Sequence, residues 1–255
     1  METLKIAAVS YLNTFPFVFG IKTSGELDDI ELHLHVPSLC ADKLRTGEVD
    51  LALVPAGALP EIGNYRIVTD YCIGAEADVK TVLLLSTKPL NEIDRIHLDF
   101  DSRTSVALAR VLAAQYWNIE PEWIPLPPGK ASSPDDIESL VAIGDKTFNL
   151  TFHYPYVYDL AGEWIRFTGL PFVFAVWATC RELPEGFLKK FNLALEYGIN
   201  HIPEIPDFFR NQIPKGVDAM DYLSHNISYP LTDRKREGLA RYLGLITNYE
   251  RRKTN

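Results

Sequence analysis

The first 55 residues decide the fold class, because they contain three short apolar segments separated by helix and turn signals. The segments are Lys5–Tyr11 (KIAAVSY), Glu31–Val36 (ELHLHV) and Asp50–Pro55 (DLALVP). Between the last two, Pro37 and Ser38 begin a helical stretch, with Ser38 as a candidate N-cap, and Gly47 ends it. A strand–helix–strand–helix–strand order predicts an α/β fold with a parallel sheet.

The alternation restarts further along the chain. The predicted strands are Tyr65–Ala75, Val79–Thr87, Arg95–Asp101, Glu122–Pro127, Ala142–Asp145 and Phe172–Thr179. The predicted helices are Ser102 to near Trp117, Asp135–Val141 and Tyr156–Phe167, followed by a helical tail over about 185–200, 203–213, 217–225 and 231–248.

These elements predict two α/β lobes joined by two crossing strands. The first lobe comprises residues 1–86 and 178–255, including the helical tail, and the second comprises residues 87–177. The strand near Val82 leaves the first lobe and the strand near Phe174 returns to it. A ligand is expected in the cleft between the lobes, where strands end and helices begin.

Composition excludes several classes of protein. The chain has 255 residues, of which 47% are hydrophobic, so a disordered or coiled-coil chain is excluded. With 25 basic and 34 acidic side chains the net charge is −9, which disfavours binding to nucleic acid or to an anionic membrane. A small-molecule ligand remains, and the oligomeric state is open.

Cysteine usage and the N-terminal segment predict a cytoplasmic protein. Cys40, Cys72 and Cys180 are few and widely spaced, which favours buried free thiols over disulfides or a zinc site. Residues 6–21 carry no charge but include Asn13 and Pro16 and are too short to span a bilayer. We interpret them as a strand and a turn rather than a signal peptide.

Polar side chains follow the first predicted strand, at the sheet edge where open α/β folds bind ligands. They belong to Ser10, Tyr11, Asn13 and Thr14. Hydroxyl and amide groups that converge there favour a binding site. The alternative is a turn held by its own side-chain caps.

A second candidate lies at the start of a predicted helix. Ser102, Arg103, Thr104 and Ser105 combine side-chain donors with the free backbone N–H groups of a helix start. Such a combination suits a carboxylate or a phosphate. The simpler alternative is that Ser102 only caps the helix, but capping and anion binding can coexist.

The histidines are weaker candidates. His33 and His35 share one face of a strand, but no third ligand has a suitable spacing, so no metal site is predicted. His153 follows a predicted strand of the second lobe and could donate a hydrogen bond or a proton, or be structural. No P-loop, GxSxG or HExxH motif occurs, which disfavours nucleotide enzymes, esterases and zinc proteases.

Several motifs between residue 5 and about residue 180 occur in a specific order. They include VSYLNTFP (9–16), CIG (72–74), DSRTS (101–105), IGD (143–145) and TGLPFVFAVW (168–177). With these motifs the chain resembles the MqnA family, the chorismate dehydratases of the futalosine route to menaquinone. One departure is EADVKT (76–81), where the family more often has Gly-Pro followed by Val, a basic residue and Ser.

The resemblance implies a type II periplasmic binding-protein-like fold and a hydro-lyase. The reaction would remove water from chorismate to give 3-[(1-carboxyvinyl)oxy]benzoate, with no metal or organic cofactor. The family places the amide of Asn13 at the reacting ring, and the substrate's own enolpyruvyl carboxylate is our candidate proton acceptor. Ser102–Ser105 would clamp a carboxylate, while Ser10, Ser86 and Thr151 are weaker cleft candidates and Asp145 is favoured as structural.

Other functions remain open at this point. The sister MqnD family shares the fold, but its opening Ser-Pro-Cys-Pro-Asn-Asp-type motif is absent. A non-catalytic carboxylate-binding protein of the same fold is the second alternative, and a cytoplasmic effector-binding module is the third. Consumption of a bound acid, as opposed to its retention, would separate the enzyme from the binding proteins.

Overall fold

The computed structural model describes residues 3–98, 103–126 and 137–254, which form two α/β lobes, each built on a mixed sheet. From edge to edge, and with strands numbered in chain order, the first sheet contains β11 (Ser228–Pro230), β4 (Arg66–Ala75), β10 (Phe172–Thr179), β3 (Leu51–Pro55), β1 (Leu4–Val9) and β2 (Ile30–His35). The second sheet contains β7 (Glu122–Pro125), β6 (Arg95–Leu98), β8 (Ser139–Ile143), β5 (Val82–Ser86) and β9 (Tyr156–Asp159).

Helices cover the faces of both sheets. They are α1 (Phe15–Thr23), α2 (Pro37–Thr46), α3 (Leu59–Ile62), α4 (Arg103–Leu112), α5 (Thr147–Leu150), α6 (Leu160–Thr168), α7 (Glu185–Asn200), α8 (Ile205–Phe208), α9 (Ala219–His225) and α10 (Asp233–Thr254). A π-helical turn, Ala113–Trp117, extends α4, and a 3-10 turn, Leu12–Thr14, precedes α1. We call the latter the Asn13 turn. Within the described part of the chain, no helix has both the length and the apolar character needed to cross a bilayer.

The predicted N-terminal alternation of strands and helices is confirmed. Strand β1 pairs in parallel with both β2 and β3. Helix α2 ends at Gly47, whose φ of +76° lies in the left-handed region that glycine tolerates. The expected cap at Ser38 is wrong, because the helix begins at Pro37 and Val36 is its N-cap. Pro37 occupies the first helical position, where no backbone N–H is needed.

Two strands belong to the opposite lobe from the one expected. Strand β5 lies in the second sheet between β8 and β9, and β10 lies in the first sheet between β4 and β3. The chain therefore crosses between the sheets just before each strand, in residues 76–81 and 169–171, rather than at 86/87 and 177/178. Every residue of both strands is buried, so burial pattern alone does not separate the lobes.

Other predicted elements differ in type. Residues 139–141, expected in a helix, belong to the fully buried strand β8; residues 135–136 lie outside the described chain. Residues 156–159, also expected in a helix, form β9 because they pair with β5. Helix α6 begins only at Leu160, after Asp159 accepts the backbone N–H groups of Ala161 and Gly162 at its start. The short edge strand β11 has no counterpart in the prediction.

Aromatic side chains join the two lobes to the tail. Trp164 on α6 packs edge-on against Phe172 of β10 and Tyr242 of α10, with ring centroids 5.5 and 6.1 Å apart. All three side chains are buried. This cluster continues the core from one lobe into the other. Trp164 and Phe172 lie on either side of the crossing residues 169–171, so the cluster holds both ends of that segment.

The cysteines are free thiols, as expected, but they are not all buried. Cys40 and Cys72 lie in the core, where burial raises the pKa of each thiol to about 12. Cys180 is exposed, because it follows the end of β10 at the surface.

Candidate functional site between the lobes

A cleft of about 520 Å³, including space open to solvent, lies between the lobes. Its walls are mostly apolar and come from the carboxyl ends of β1, β3 and β4 and the first half of β10 in the first lobe, and from Val82, Ile143 and Gly144 in the second. The polar groups are concentrated at two places, the Asn13 turn of the first lobe and the start of α4 in the second. This is the edge at which open α/β sheets bind ligands.

Six of the predicted site residues line this cleft. They are Tyr11, Asn13, Thr14, Arg103, Thr104 and Ser105. The fold thus brings together two sequence segments that the prediction treated as separate binding features. Thr81, from the crossing segment, adds a hydroxyl that the prediction did not include.

Four predicted residues do not line the cleft. Ser10 is exposed, and its N–H bonds the carbonyl of His35. Ser86 is buried at the far end of β5, about 13 Å along the strand from Val82, and its hydroxyl bonds Ser139 at 2.8 Å. The other two are Thr151, which lines a separate groove against α9, and the exposed His153. Ser102 lies outside the described residues.

The Asn13 side chain lies among hydroxyl groups. Thr14 Oγ1 donates to Asn13 Oδ1 at 3.2 Å, and the hydroxyl of Tyr222 on α9 lies near the same side chain. The backbone carbonyl of Asn13 accepts the hydroxyl of Tyr229 at 3.1 Å. The amide therefore has a defined position at the end of the cleft nearest to β1.

Tyr222 links Asn13 to the crossing segment. Its hydroxyl lies 2.7 Å from Thr81 Oγ1, and the contact is buried. Burial raises the pKa of Tyr222, so its phenol is neutral and can donate a hydrogen bond. The prediction missed this residue, because the helical tail carries none of the motifs that identified the cleft.

The charge of Arg103 is already paired in this structure. One guanidinium nitrogen lies 2.7 Å from Glu61 Oε2, and another lies 3.1 Å from Asp42 Oδ1. Both acids belong to the first lobe, so the contacts tie the start of α4 across the cleft. A carboxylate clamp at this helix start stays a prediction; in this arrangement Arg103 would have to share its charge with two acids.

Thr104 is also engaged by the first lobe. Its Oγ1 accepts the N–H of Gly57 at 3.0 Å, and its carbonyl accepts the hydroxyl of Tyr242 at 2.9 Å. A Cβ on Gly57 would lie only 2.8 Å from the Cα of Thr104. The start of α4 therefore docks closely on the first lobe.

Asp145 also reaches across the cleft. The expectation was that it caps an element of its own lobe, but both carboxylate oxygens accept the backbone N–H of Leu12 in the first lobe, at 3.2 Å. Burial raises the pKa of Asp145 to about 6, and the Leu12 N–H opposes that rise. The carboxylate lies beside the cleft rather than in its lining.

The two histidines of β2 do not form a metal centre. His33 Nε2 pairs with Glu31 at 3.0 Å, and the ring of His33 stacks on that of His35. Across the ranges that the structure describes, no group of three or more His, Cys, Asp or Glu side chains could hold a metal ion.

Comparison with known proteins gives the family. A sequence model of the family described as menaquinone biosynthesis matches residues 4–248. The chain belongs to this family. It is 26% identical over 239 residues to a chorismate dehydratase of Thermus thermophilus, covering 82% of this chain and 85% of that protein.

Solved structures confirm the predicted fold of this menaquinone biosynthesis protein. A protein of Archaeoglobus fulgidus superimposes with a TM-score of 0.77 at 17% identity, covering 97% of both chains. The periplasmic aliphatic sulphonate binding protein of Escherichia coli superimposes with a TM-score of 0.66 at 16% identity, covering 100% of this chain and 94% of that one. The chain thus has the two-lobed architecture of periplasmic binding proteins.

Proposed function

We propose that this protein is a chorismate dehydratase, a hydro-lyase that converts chorismate to 3-[(1-carboxyvinyl)oxy]benzoate. The observation that carries the proposal is the meeting of the VSYLNTFP segment, which includes Asn13, and the start of α4 in the lining of one cleft. Family membership and the chorismate dehydratase of Thermus thermophilus support the choice of substrate.

The chemistry suits a site with few ionisable groups. Chorismate carries a cyclohexadiene ring, so loss of the C3 proton and the C4 hydroxyl forms water and an aromatic ring. The driving force lies in the substrate, and the protein has to bind two carboxylates and hold the ring in a reactive geometry. The described residues that line the cleft include no His, Asp, Glu, Lys or Cys.

Asn13 has the properties of a hydrogen-bonding group rather than a base. An amide is a poor proton acceptor, but an oriented amide stabilises a hydroxyl as it departs. The substrate's enolpyruvyl carboxylate would accept the C3 proton and pass it to the C4 hydroxyl, so that the C4–O bond breaks with loss of water and the carboxylate is regenerated. The backbone N–H groups and hydroxyls at the start of α4 would hold a substrate carboxylate.

The test is to mix purified protein with chorismate, without added metal or cofactor, and to follow the loss of the diene absorbance with mass analysis of the product. We expect one aromatic product that is one water lighter than chorismate and retains the enolpyruvyl ether. Chorismate that is unchanged relative to a protein-free control would overturn the proposal. Tight binding without turnover would then favour a carboxylate-binding protein, and absence of binding would favour the sister activity on a futalosine-derived substrate.

A further inference from the structure

The Asn13 turn receives its cap from the opposite lobe. Leu12 is the first residue of the turn, and the preceding residue, Tyr11, supplies no side-chain cap. The two oxygens of Asp145, which follows β8 in the second lobe, accept the Leu12 N–H at 3.2 Å. The Leu12 N–H, a donor at a helix start that a neighbouring side chain normally caps, therefore has its hydrogen-bond acceptor in the other lobe.

This contact lies next to the side chain proposed to act on substrate. The carbonyl of Asn13 is held by Tyr229, and the turn closes through the bond from Thr14 N–H to Tyr11 O at 2.9 Å. Asp145 holds the other end of the turn through Leu12. The backbone on either side of the Asn13 side chain is thus fixed by two different parts of the molecule.

Gly144 makes the approach of the two lobes possible. Its φ is +72°, and a Cβ on it would lie 2.9 Å from the ring of Tyr11. Its N–H also bonds the carbonyl of Thr81 in the crossing segment, at 2.9 Å. The loop that carries Asp145 is therefore fitted against the residue that precedes the Asn13 turn.

We propose that Asp145 is a positioning residue for the dehydration, whose carboxylate sets the Asn13 turn when the lobes meet and so aligns the Asn13 amide in the closed cleft. The inference rests on the proposed function. It explains why a carboxylate outside the cleft lining reaches into the opposite lobe. A displacement of about 1 Å in a catalytic group can cost about a hundredfold in rate, so such a contact has a large effect on turnover.

The charge on Asp145 is kept at a cost to stability. Burial raises the pKa of its carboxyl from 3.8 to about 6, with the Leu12 N–H opposing the rise. The ionisable groups near it are the neighbouring Lys146 and Tyr222 on α9, whose pKa the Asp145 charge raises. Between pH 4 and 6 the Asp145 carboxyl is protonated in the folded protein but ionised in the unfolded chain. The free energy of unfolding therefore rises as the pH falls from above 6 towards 4, and the cost of the buried charge is fully present above pH 6.

The first test compares Asp145→Ala and Asp145→Asn with the parent protein in the chorismate assay. We expect kcat to fall at least about tenfold in Asp145→Ala and about threefold in Asp145→Asn, which retains one acceptor oxygen, while KM changes less than about twofold. Asp145→Asn should also raise the melting temperature at pH 7.5, and this gain should shrink at pH 5. A purely structural carboxylate would instead lower the melting temperature when replaced, with little effect on kcat.

Asp159→Asn is the matched control for titration. Burial also raises the pKa of Asp159 to about 6, but this carboxylate caps α6 and accepts the Lys80 N–H of the crossing segment rather than an N–H of the Asn13 turn. We expect the parent kcat to decline below pH 6 and this decline to persist in Asp159→Asn but to flatten in Asp145→Asn. The same decline of kcat below pH 6 in the parent and both variants would overturn the role of Asp145.

Gly144→Ala supplies an independent test of the lobe contact, with Gly47→Ala as its control. Both glycines have similar φ values, +72° and +76°, but a Cβ on Gly47 would have no neighbour within 4 Å. We expect the loss of kcat in Gly144→Ala to exceed that in Gly47→Ala at least fivefold. Equal losses would contradict the inference.

Failure of the inference and failure of the proposed function give different results. If the parent protein does not consume chorismate, the proposed function is wrong. If the parent is active and Asp145→Ala retains a kcat within twofold of it, the dehydratase stands and the positioning role is wrong.

Discussion

At the scale of single residues, the Asn13 amide has one hydroxyl partner next to it in the chain and a second hydroxyl nearby from the helical tail. Thr14 donates to its Oδ1 at 3.2 Å, and the hydroxyl of Tyr222 on α9, which lies 2.7 Å from Thr81 Oγ1, is near the same side chain. A neutral phenol in this position donates and accepts one bond each. Tyr222 therefore places a neutral hydroxyl beside the Asn13 side chain.

Removing that hydroxyl is expected to slow turnover without weakening binding. In Tyr222→Phe, Thr81 loses a buried hydrogen bond and the Asn13 side chain loses a neighbouring hydroxyl, and a typical hydrogen bond of about 1 kcal/mol corresponds to a roughly fivefold fall in kcat. Tyr154→Phe is the control, because Tyr154 donates a buried hydroxyl bond to the carbonyl of Ile137, away from the cleft. Steady-state kinetics with chorismate would check this; equal effects of the two variants would contradict the role of Tyr222.

Sequence reasoning identifies cleft residues that follow a strand or begin a helix, and it misses those that depend on packing. Asn13 was predicted because open α/β sheets bind ligands where a strand ends, and Thr104 because the start of a helix suits an anion. Tyr222 and the cross-lobe contact of Asp145 depend on how α9 and the loop after β8 pack. Ser86 was selected for its hydroxyl, but strand length places it at the far end of β5.

At the scale of secondary-structure elements, strand β11 is held in place by a buried lysine. Lys235 on α10 has no exposed surface, and its Nζ donates to the carbonyls of Ser228 and Pro230 at 2.8 and 2.7 Å. It also lies 3.6 Å from Glu76 Oε1. These two carbonyls flank Tyr229, whose hydroxyl bonds the Asn13 carbonyl.

Replacing this lysine is expected to destabilise the fold substantially. Lys235→Met leaves buried carbonyls without a donor, which we expect to lower the free energy of unfolding by about 3 kcal/mol. Lys189→Met is the control, because Lys189 is exposed on α7. Urea unfolding of both variants provides the measurement. A loss below about 1 kcal/mol in Lys235→Met would show that β11 is held by other contacts.

A segment is correctly predicted as strand or helix where its hydrophobic pattern agrees with its pairing in the folded protein. Strands β1 to β3 are confirmed because their apolar runs alternate with well-marked helices. Residues 139–141 and 156–159 were predicted as helix, but pairing with β5 on both of its sides makes them strands. Local sequence carries no signal for such pairing.

At the scale of the whole molecule, the lobes dock through close backbone contact. Gly57 of the first lobe donates its N–H to Thr104 Oγ1, and a Cβ there would lie 2.8 Å from the Thr104 Cα. Ion pairs from Arg103 to Asp42 and Glu61 lie beside this contact. The start of α4 is thereby fixed relative to the first lobe.

A side chain at position 57 is expected to prevent this docking. In Gly57→Ala the Cβ meets backbone atoms, so the start of α4 has to move and the cleft cannot close to the same geometry. We expect kcat/KM for chorismate to fall at least tenfold, whereas Gly186→Ala on α7, where a Cβ meets nothing within 4 Å, leaves it unchanged. A parent-like kcat/KM in Gly57→Ala would contradict closure through this contact.

The two-lobed architecture was predictable, but the points of crossing were not. Repeated alternation of strands and helices, followed by a helical tail, indicates two α/β units. Strands β5 and β10 are fully buried, so their burial does not indicate the lobe to which each belongs. Strand β5 belongs to the second lobe because it pairs with β8 and β9, and β10 belongs to the first because it pairs with β4 and β3. Sequence pattern cannot distinguish those partners.

The measurement that tests the central claim most directly is the rate of chorismate loss, with the product identified by mass, for three proteins. They are the parent, Asn13→Ala and Asn211→Ala, which removes an exposed amide outside the cleft. We predict that the parent and Asn211→Ala form the same product, one water lighter than chorismate, at equal rates, and that Asn13→Ala is slower by at least a hundredfold. Full turnover by Asn13→Ala, or no turnover by the parent, would contradict dehydration in this cleft.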